Sequence, residues 1–244
     1  MFGNTPPNDQ SLDSTTVHVW HAALDELSPA QIAELTLSLS ADEIDRANRF
    51  HFQQDQQRFI AGRGALRNIL SRYLHIPAST IAFEYNPFGK PGLARSLGSL
   101  LRFNVSHSGG QALYAVTYER AIGVDIERVN PMVAYEQLAA RFFSPTEYQK
   151  LCSLPPELRR VAFFTCWTRK EAYVKAHGIG LSMALDHFAV SLAPDEPARI
   201  LYTLDDPAEA SRWSLQSLSV GPGYQAALAV EGHGWNYEYR SWRG

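Results

Sequence analysis

A chain of 244 residues that is 45% hydrophobic can bury one sizeable core or two small ones. A formal net charge of −3 and a pI near 6.2 exclude whole-chain attraction to nucleic acid or to an anionic membrane, so neither partner is expected. Two cysteines, Cys152 and Cys166, are too few and too isolated for a disulfide framework or a tetrahedral zinc site, which points to a reduced, cytoplasmic protein.

The opening MFGNTPPNDQSLDST has neither the basic segment nor the apolar run of a secretory signal, and its Pro, Asn, Asp and Ser content predicts a disordered tail over 1–15. No stretch approaches the roughly 20 apolar residues needed to cross a bilayer. A short strand is expected around Thr16 to Trp20. Ser28 with Pro29 opens one helix, and Ser40 with Glu43 makes an S-x-x-E capping box for another. A third helix is predicted from Asp55 to Leu74, with an apolar stripe of Phe59, Ala65, Leu66, Ile69, Leu70 and Tyr73. Arg63 and Arg67 are four apart on one side of it and can grip a single anion together. From Arg46 to Arg102, nine basic residues stand against only Asp55 and Glu84, a local cluster suited to an anionic ligand.

Between Ile81 and Tyr118 the period changes to two: Ile81, Phe83 and Tyr85, then Phe103 and Val105, then Ala112, Tyr114, Val116 and Tyr118. Asn86 to Gly92 and Ser108-Gly109-Gly110 are the intervening turns. In Phe103-Asn104-Val105-Ser106-His107-Ser108, a strand ends in hydroxyls and an imidazole that could face an anion; simple packing of His107 would also account for it. Lys90, between Gly89 and Pro91, sits at a turn tip where a solvated lysine is the plainer reading.

The strand Ile122-Gly123-Val124-Asp125-Ile126-Glu127 places Asp125 and Glu127 side by side on one face, with Ile122, Val124 and Ile126 directed into a core. Gly123 shares the acidic face and lets something bulky approach the backbone. Two neighbouring carboxylates repel unless a cation separates them, so this face reads as half of a Mg²⁺ site or as an ion-paired surface. Helices follow over 131–143, 145–152 and 156–177. In the last, Glu171 falls inside the stripe of Phe163, Phe164, Trp167 and Val174, with Lys175 one turn on as its simplest partner. Ser144-Pro145-Thr146-Glu147 has the form of a capping box, which explains Glu147 without catalysis. Strands return near 187–192, 200–204, 213–218, 224–230 and 235–242. The expected architecture is α+β: two halves with mainly antiparallel sheets, 16–120 and 121–244, joined near Glu119 to Ala121.

Together FGKP, FNVSHS, GVDIE, FFSPTEY and WTRKEAYVKAHGIGLS, in this order, resemble the Sfp-type 4′-phosphopantetheinyl transferases. Trp167 with Lys170-Glu171-Ala172 looks like the subgroup with a tryptophan before K-E-A. The resemblance implies two pseudo-symmetric halves binding coenzyme A between them. It also implies transfer of the phosphopantetheine arm to a serine of an acyl, peptidyl or aryl carrier protein, with release of adenosine 3′,5′-bisphosphate. Carried over by motif, Asp125, Glu127 and Glu171 would hold Mg²⁺; Lys175 and His107 would contact phosphate oxygens, assisted by Ser106. Lys90 would bind near the adenosine or its 3′-phosphate, and Glu147 would be the base for the carrier serine. Relatives often carry lysines before Arg49-Phe50, but here the segment is Asp42-Glu43-Ile44-Asp45-Arg46. The 3′-phosphate then falls to Arg46 with Arg58, Arg63 or Arg67. Arg141, Phe142, Phe143 and Tyr148 flank Glu147 and are candidates to face a carrier. A cleft within one chain makes a monomer the expectation. The competing functions are a non-catalytic binding module for coenzyme A or a carrier protein, and a Mg²⁺-dependent phosphohydrolase.

Overall fold

The computed structural model describes residues 12–193 and 196–244, so most of the expected tail lies outside the described residues. Strand β1 (Thr16–Ala23) leads to helices α1 (Pro29–Thr36) and α2 (Ala41–Ala47). The capping box expected at Ser40 forms, with Glu43 returning to its backbone, and Ser28, expected only to open a helix with Pro29, has a second one through Gln31. Helix α3 (Gln53–Leu74) begins two residues before the expected start and ends where His75 turns left-handed. Short strands β2 (Phe83–Tyr85) and β3 (Pro91–Leu93) precede the long hairpin of β4 (Leu101–Ser108) and β5 (Gln111–Tyr118). The second half comprises β6 (Ile122–Arg128), α4 (Tyr135–Phe142), α5 (Pro145–Ser153) and α6 (Pro156–His177). It continues with β7 (Phe188–Val190), β8 (Ile200–Thr203), β9 (Trp213–Ser217), β10 (Tyr224–Glu231) and β11 (Asn236–Trp242).

Alternation along the strands sorts the side chains into three apolar layers. Trp20, Ala22, Phe103, Tyr114 and Val116 pack against Ala61, Ala65 and Ile69 of α3. The opposite face of that sheet, with Val17, Val19, Leu113 and Ala115, meets Ile122, Val124, Ile126, Leu228 and Val230 of the second sheet. Ala227 and Ala229 on the second sheet's far side lie in one cluster with Ala172, Tyr173 and Ala176 of α6. Each half thus sets a 22-residue helix on one face of a mainly antiparallel sheet and buries the other face against its counterpart. The expected α+β class is the observed one; the likeness between halves lies in packing, which is why it left no repeat in the residues.

Two joints depart from a simple division at 120/121. The first sheet has the order β11-β1-β5-β4, and β11 runs parallel to β1 from Thr16↔Asn236 to Ala22↔Trp242. The last strand of the second half therefore completes the sheet of the first, covering what would be a free edge of β1. The other joint lies between β4 and β6. Strand β6 is at the edge of the sheet β6-β10-β9, and its outward N–H groups have no strand partner. They donate instead to β4 side chains: Val124 N to Asn104 Oδ1 at 2.9 Å, Ile126 N to Ser106 Oγ at 3.3 Å, and Arg128 N to Ser108 Oγ at 3.1 Å. A period of two on both strands lets three alternate polar side chains serve three alternate amides.

Gly123 faces α6. A Cβ there would overlap the Ala172 carbonyl oxygen and the Ala176 amide nitrogen, both rigid backbone atoms. The bulky neighbour anticipated from the glycine is thus the protein's own helix. Gly123→Ala should lower unfolding stability by about 3 kcal/mol or more, because overpacking cannot be relieved by a rotamer change. Urea unfolding of the two proteins checks this, and a loss below about 1 kcal/mol would show that α6 can lift at little cost.

Candidate active site

On β6, Asp125 and Glu127 share the α6 side with Gly123, and the close approach at Gly123 carries Glu171 and Lys175 to the same place. These four side chains, with Ser106, His107 and Trp167, line a pocket of about 370 Å³. Lys175 Nζ donates to Asp125 Oδ1 at 2.5 Å and to Ser106 Oγ at 2.9 Å. Ser106 Oγ in turn donates to Asp125 Oδ1 at 2.7 Å. Ser108 Oγ donates to Glu127 Oε2 at 2.8 Å.

The pocket is electrostatically short of positive charge. Burial pushes the Asp125 carboxyl up, against the pull of Lys175 and Ser106. Glu127 is raised by burial, with Asp125 adding to it and Ser108 opposing. Glu171 is raised by burial and then by Asp125, with Lys175 opposing. One ammonium cannot neutralise three carboxylates, and Asp125 Oδ2 is buried without a hydrogen-bond partner. Among the described residues no three acidic, His or Cys side chains close around a point tightly enough to cage an ion unaided. Mg²⁺ does not need such a cage, because it keeps several waters and accepts phosphate oxygens beside one or two carboxylates. The all-oxygen donor set and the orphaned Asp125 oxygen fit such an ion. Asp125, Glu127 and Glu171 are the residues that could hold it.

A second cleft, of about 440 Å³, shares Val105 and His107 with the acidic pocket and is lined by Arg46, Arg58 and Arg63. Arg46 is exposed and lies over the Phe59 ring at 5.2 Å. Arg58 is held bidentate by Asp25 at 2.7 and 2.6 Å. Arg63 pairs with Glu43 at 3.3 Å and donates to the Tyr85 hydroxyl at 3.2 Å. Arg67 is not in the cleft. It is buried, donating to Glu43 at 2.7 Å and to the carbonyls of Ala78 and Ile81. Arg63 and Arg67 do grip one anion, and it is the capping-box carboxylate of Glu43. His107 as a residue is exposed, but the desolvation of its ring among the pocket walls, with Lys175 nearby, lowers its pKa and favours the neutral form.

A family model described as the 4′-phosphopantetheinyl transferase superfamily matches residues 121–229, and one for the N-terminal region of such transferases matches 25–119. The 4′-phosphopantetheinyl transferase HetI of Nostoc is 44% identical over 96% of this chain and 95% of its own length. The chain belongs to the 4′-phosphopantetheinyl transferase superfamily. Two further transferases, psf-1 of Bacillus pumilus and Sfp of Bacillus subtilis, are 35% and 32% identical over 84% and 79% of this chain, and over 84% and 82% of their own.

Two expected site residues of this transferase are seated elsewhere. Glu147 is buried, and both of its oxygens are engaged. Oε2 accepts from Ser144 N and Ser144 Oγ at 2.8 Å and pairs with Lys170 Nζ at 2.9 Å; Oε1 accepts from Val190 N at 2.8 Å. The cap accounts for it, and a base must instead have a free lone pair within reach of the hydroxyl it deprotonates. Lys90 Nζ donates to the carbonyls of Ile122 at 3.0 Å and Ala176 at 3.2 Å, while Asn86 Nδ2 donates to Gly178 O at 2.6 Å. The turn thereby clasps the carboxyl end of α6 to the first half, and the Lys90 ammonium is spent on backbone rather than presented to either pocket. Of the residues flanking Glu147, Phe143 is core, stacked on Phe163. Phe142 meets Trp167 edge-on, and Arg141 lies over Phe142, so these two adjoin the pocket wall. Among the described residues no helix is long and apolar enough to cross a membrane. Sequence reasoning missed Ser108 and Lys170; the only available signal for Ser108 was its alternation with Asn104 and Ser106.

Glu147→Ala should cost about 3–5 kcal/mol, because it strands the fully buried Lys170 ammonium, whereas Glu147→Gln should cost less by keeping the cap. Thermal unfolding of both variants checks this order. The Lys90 pKa is pushed down to about 8 by burial, with Arg102 contributing, from its ordinary 10.5. Between those values the folded chain holds fewer protons than the unfolded one, so Lys90 adds stability as pH rises through that window. Its burial penalty is fully present below it. Relative to Lys90→Met, the wild-type urea midpoint should climb from about pH 8 to about pH 10.

Proposed function

We propose that the chain transfers the 4′-phosphopantetheine group of coenzyme A to a serine hydroxyl of an acyl, peptidyl or aryl carrier protein in a Mg²⁺-dependent reaction, leaving adenosine 3′,5′-bisphosphate. The observation that carries this reading is the convergence of Asp125, Glu127, Glu171 and Lys175 on one pocket that opens beside an arginine-lined cleft. The cleft takes the nucleotide end. Arg46, stacked on Phe59 and exposed, is the readiest contact for the 3′-phosphate; Arg58 and Arg63 add field while tied to Asp25 and Glu43.

His107 stands at the boundary of the two spaces, where a pyrophosphate spanning them must pass, and its neutral ring can give one hydrogen bond to a phosphate oxygen. Lys175 can turn its Nζ from Asp125 to the same oxygens. Mg²⁺ bound by Asp125, Glu127 and Glu171 would neutralise charge developing on the leaving phosphate. Glu147 takes no part in this scheme, being a cap and a counter-ion for Lys170.

The test is intact-protein mass spectrometry of an apo carrier incubated with the protein, coenzyme A and Mg²⁺, alongside an EDTA control. A mass gain of one phosphopantetheine that EDTA abolishes is the expected result. Coenzyme A binding without any gain across several carriers would make the chain a binding module, and free phosphopantetheine would make it a hydrolase. In the same assay Glu171→Ala should slow transfer about a hundredfold or more through loss of a metal ligand. Near-normal turnover at saturating Mg²⁺ would overturn the three-carboxylate site.

A further inference from the structure

The hydroxyls of Ser106 and Ser108 make the same three-way pattern two residues apart. Each accepts the amide N–H that follows a pocket carboxylate, Ile126 N after Asp125 and Arg128 N after Glu127. Each then has one proton to give, and gives it to that carboxylate: Ser106 to Asp125 Oδ1 at 2.7 Å and Ser108 to Glu127 Oε2 at 2.8 Å. A hydroxyl whose lone pair is occupied by a backbone donor has its proton directed away from that donor, so the seam orients the hydroxyls and the hydroxyls orient the acids.

We infer that Ser108 is a positioning residue for Glu127, holding one carboxylate oxygen so that the other is turned toward a bound cation. This rests on the proposal that Asp125, Glu127 and Glu171 take Mg²⁺. Among the described residues the Ser108 bond is the one hydrogen bond to the Glu127 carboxylate, whereas Asp125 has both Ser106 and Lys175. Glu127 therefore depends on Ser108 more than Asp125 depends on Ser106. Ser108 touches neither pocket directly, which separates it from residues that would contact substrate. Partners of this kind, one bond behind a ligand, typically change metal affinity by about 10- to 100-fold when lost.

The test titrates Mn²⁺, as the probe ion, into wild type, Ser108→Ala, Ser108→Cys and Ser108→Thr without coenzyme A, reading free Mn²⁺ by electron paramagnetic resonance. Ala and the weakly donating Cys should bind Mn²⁺ about tenfold more weakly or worse, while Thr, which keeps the hydroxyl, should stay within about threefold of wild type. In turnover the KM for Mg²⁺ should rise in Ala and Cys with kcat at saturating Mg²⁺ little changed. Equal Mn²⁺ affinity in wild type and in whichever of Ala or Cys remains folded would overturn the inference alone. A wild type with no Mn²⁺ binding would overturn the metal reading and this inference with it.

Discussion

The contact between α6 and the bare backbone of Gly123 sets the geometry on which the rest of the site depends. A helix normally rides on a sheet at a distance fixed by side chains from both surfaces; here one of those layers is missing for a single residue. The gain is reach: Glu171 and Lys175 have short enough paths to meet Asp125, whose Oδ1 lies 2.5 Å from Lys175 Nζ. The far end of α6 is tied down separately, by the Asn86 and Lys90 side chains on the carbonyls of Gly178 and Ala176. With its middle seated on Gly123 and its end clasped, α6 presents its polar residues at a fixed height over β6.

The seam between β4 and β6 shows how one set of small side chains can do two jobs. Backbone amides at a sheet edge must find acceptors, and Asn104, Ser106 and Ser108 supply them without extending the ladder. A continuous backbone ladder would have joined the halves equally well but would have offered the carboxylates nothing. Because the joining groups are hydroxyls, the same contact that holds the halves together also hydrogen-bonds Asp125 and Glu127. Assembly of the two halves and assembly of the acidic pocket are therefore one event.

Much of this was legible in the sequence wherever the controlling interaction is local. The period of two over 122–127 put Asp125 and Glu127 on one face, the helix start at Ser28 and Pro29 is found, and the capping boxes at Ser40 and Ser144 form as written. What could not be read were pairings across the chain. That Arg67 spends its charge on Glu43, and Lys170 on Glu147, depends on how helices pack rather than on spacing along either one. The cap and the base role that the resemblance implies for Glu147 could not be told apart for that reason: a carboxylate in a motif looks the same whether its second oxygen meets solvent or the Val190 amide. Likewise, alternating Asn104, Ser106 and Ser108 would serve a phosphate, water or a strand edge equally well, and only the fold places β6 beside them.

The parallel pairing of β11 with β1 has a consequence for the order in which the molecule can come into being on the ribosome. Strand β1 is among the first described segments to emerge, yet its neighbour spans Asn236 to Trp242. Helix α3 and the β4–β5 hairpin can gather on β1 early, through the register that joins β1 to β5. One flank of β1 nevertheless stays open throughout synthesis of the second half, a row of unmet amides and carbonyls beside Trp20 and Val19 that β11 alone closes. The nascent chain thus keeps that flank of β1 open to wrong strand partners until β11 is available to pair with it.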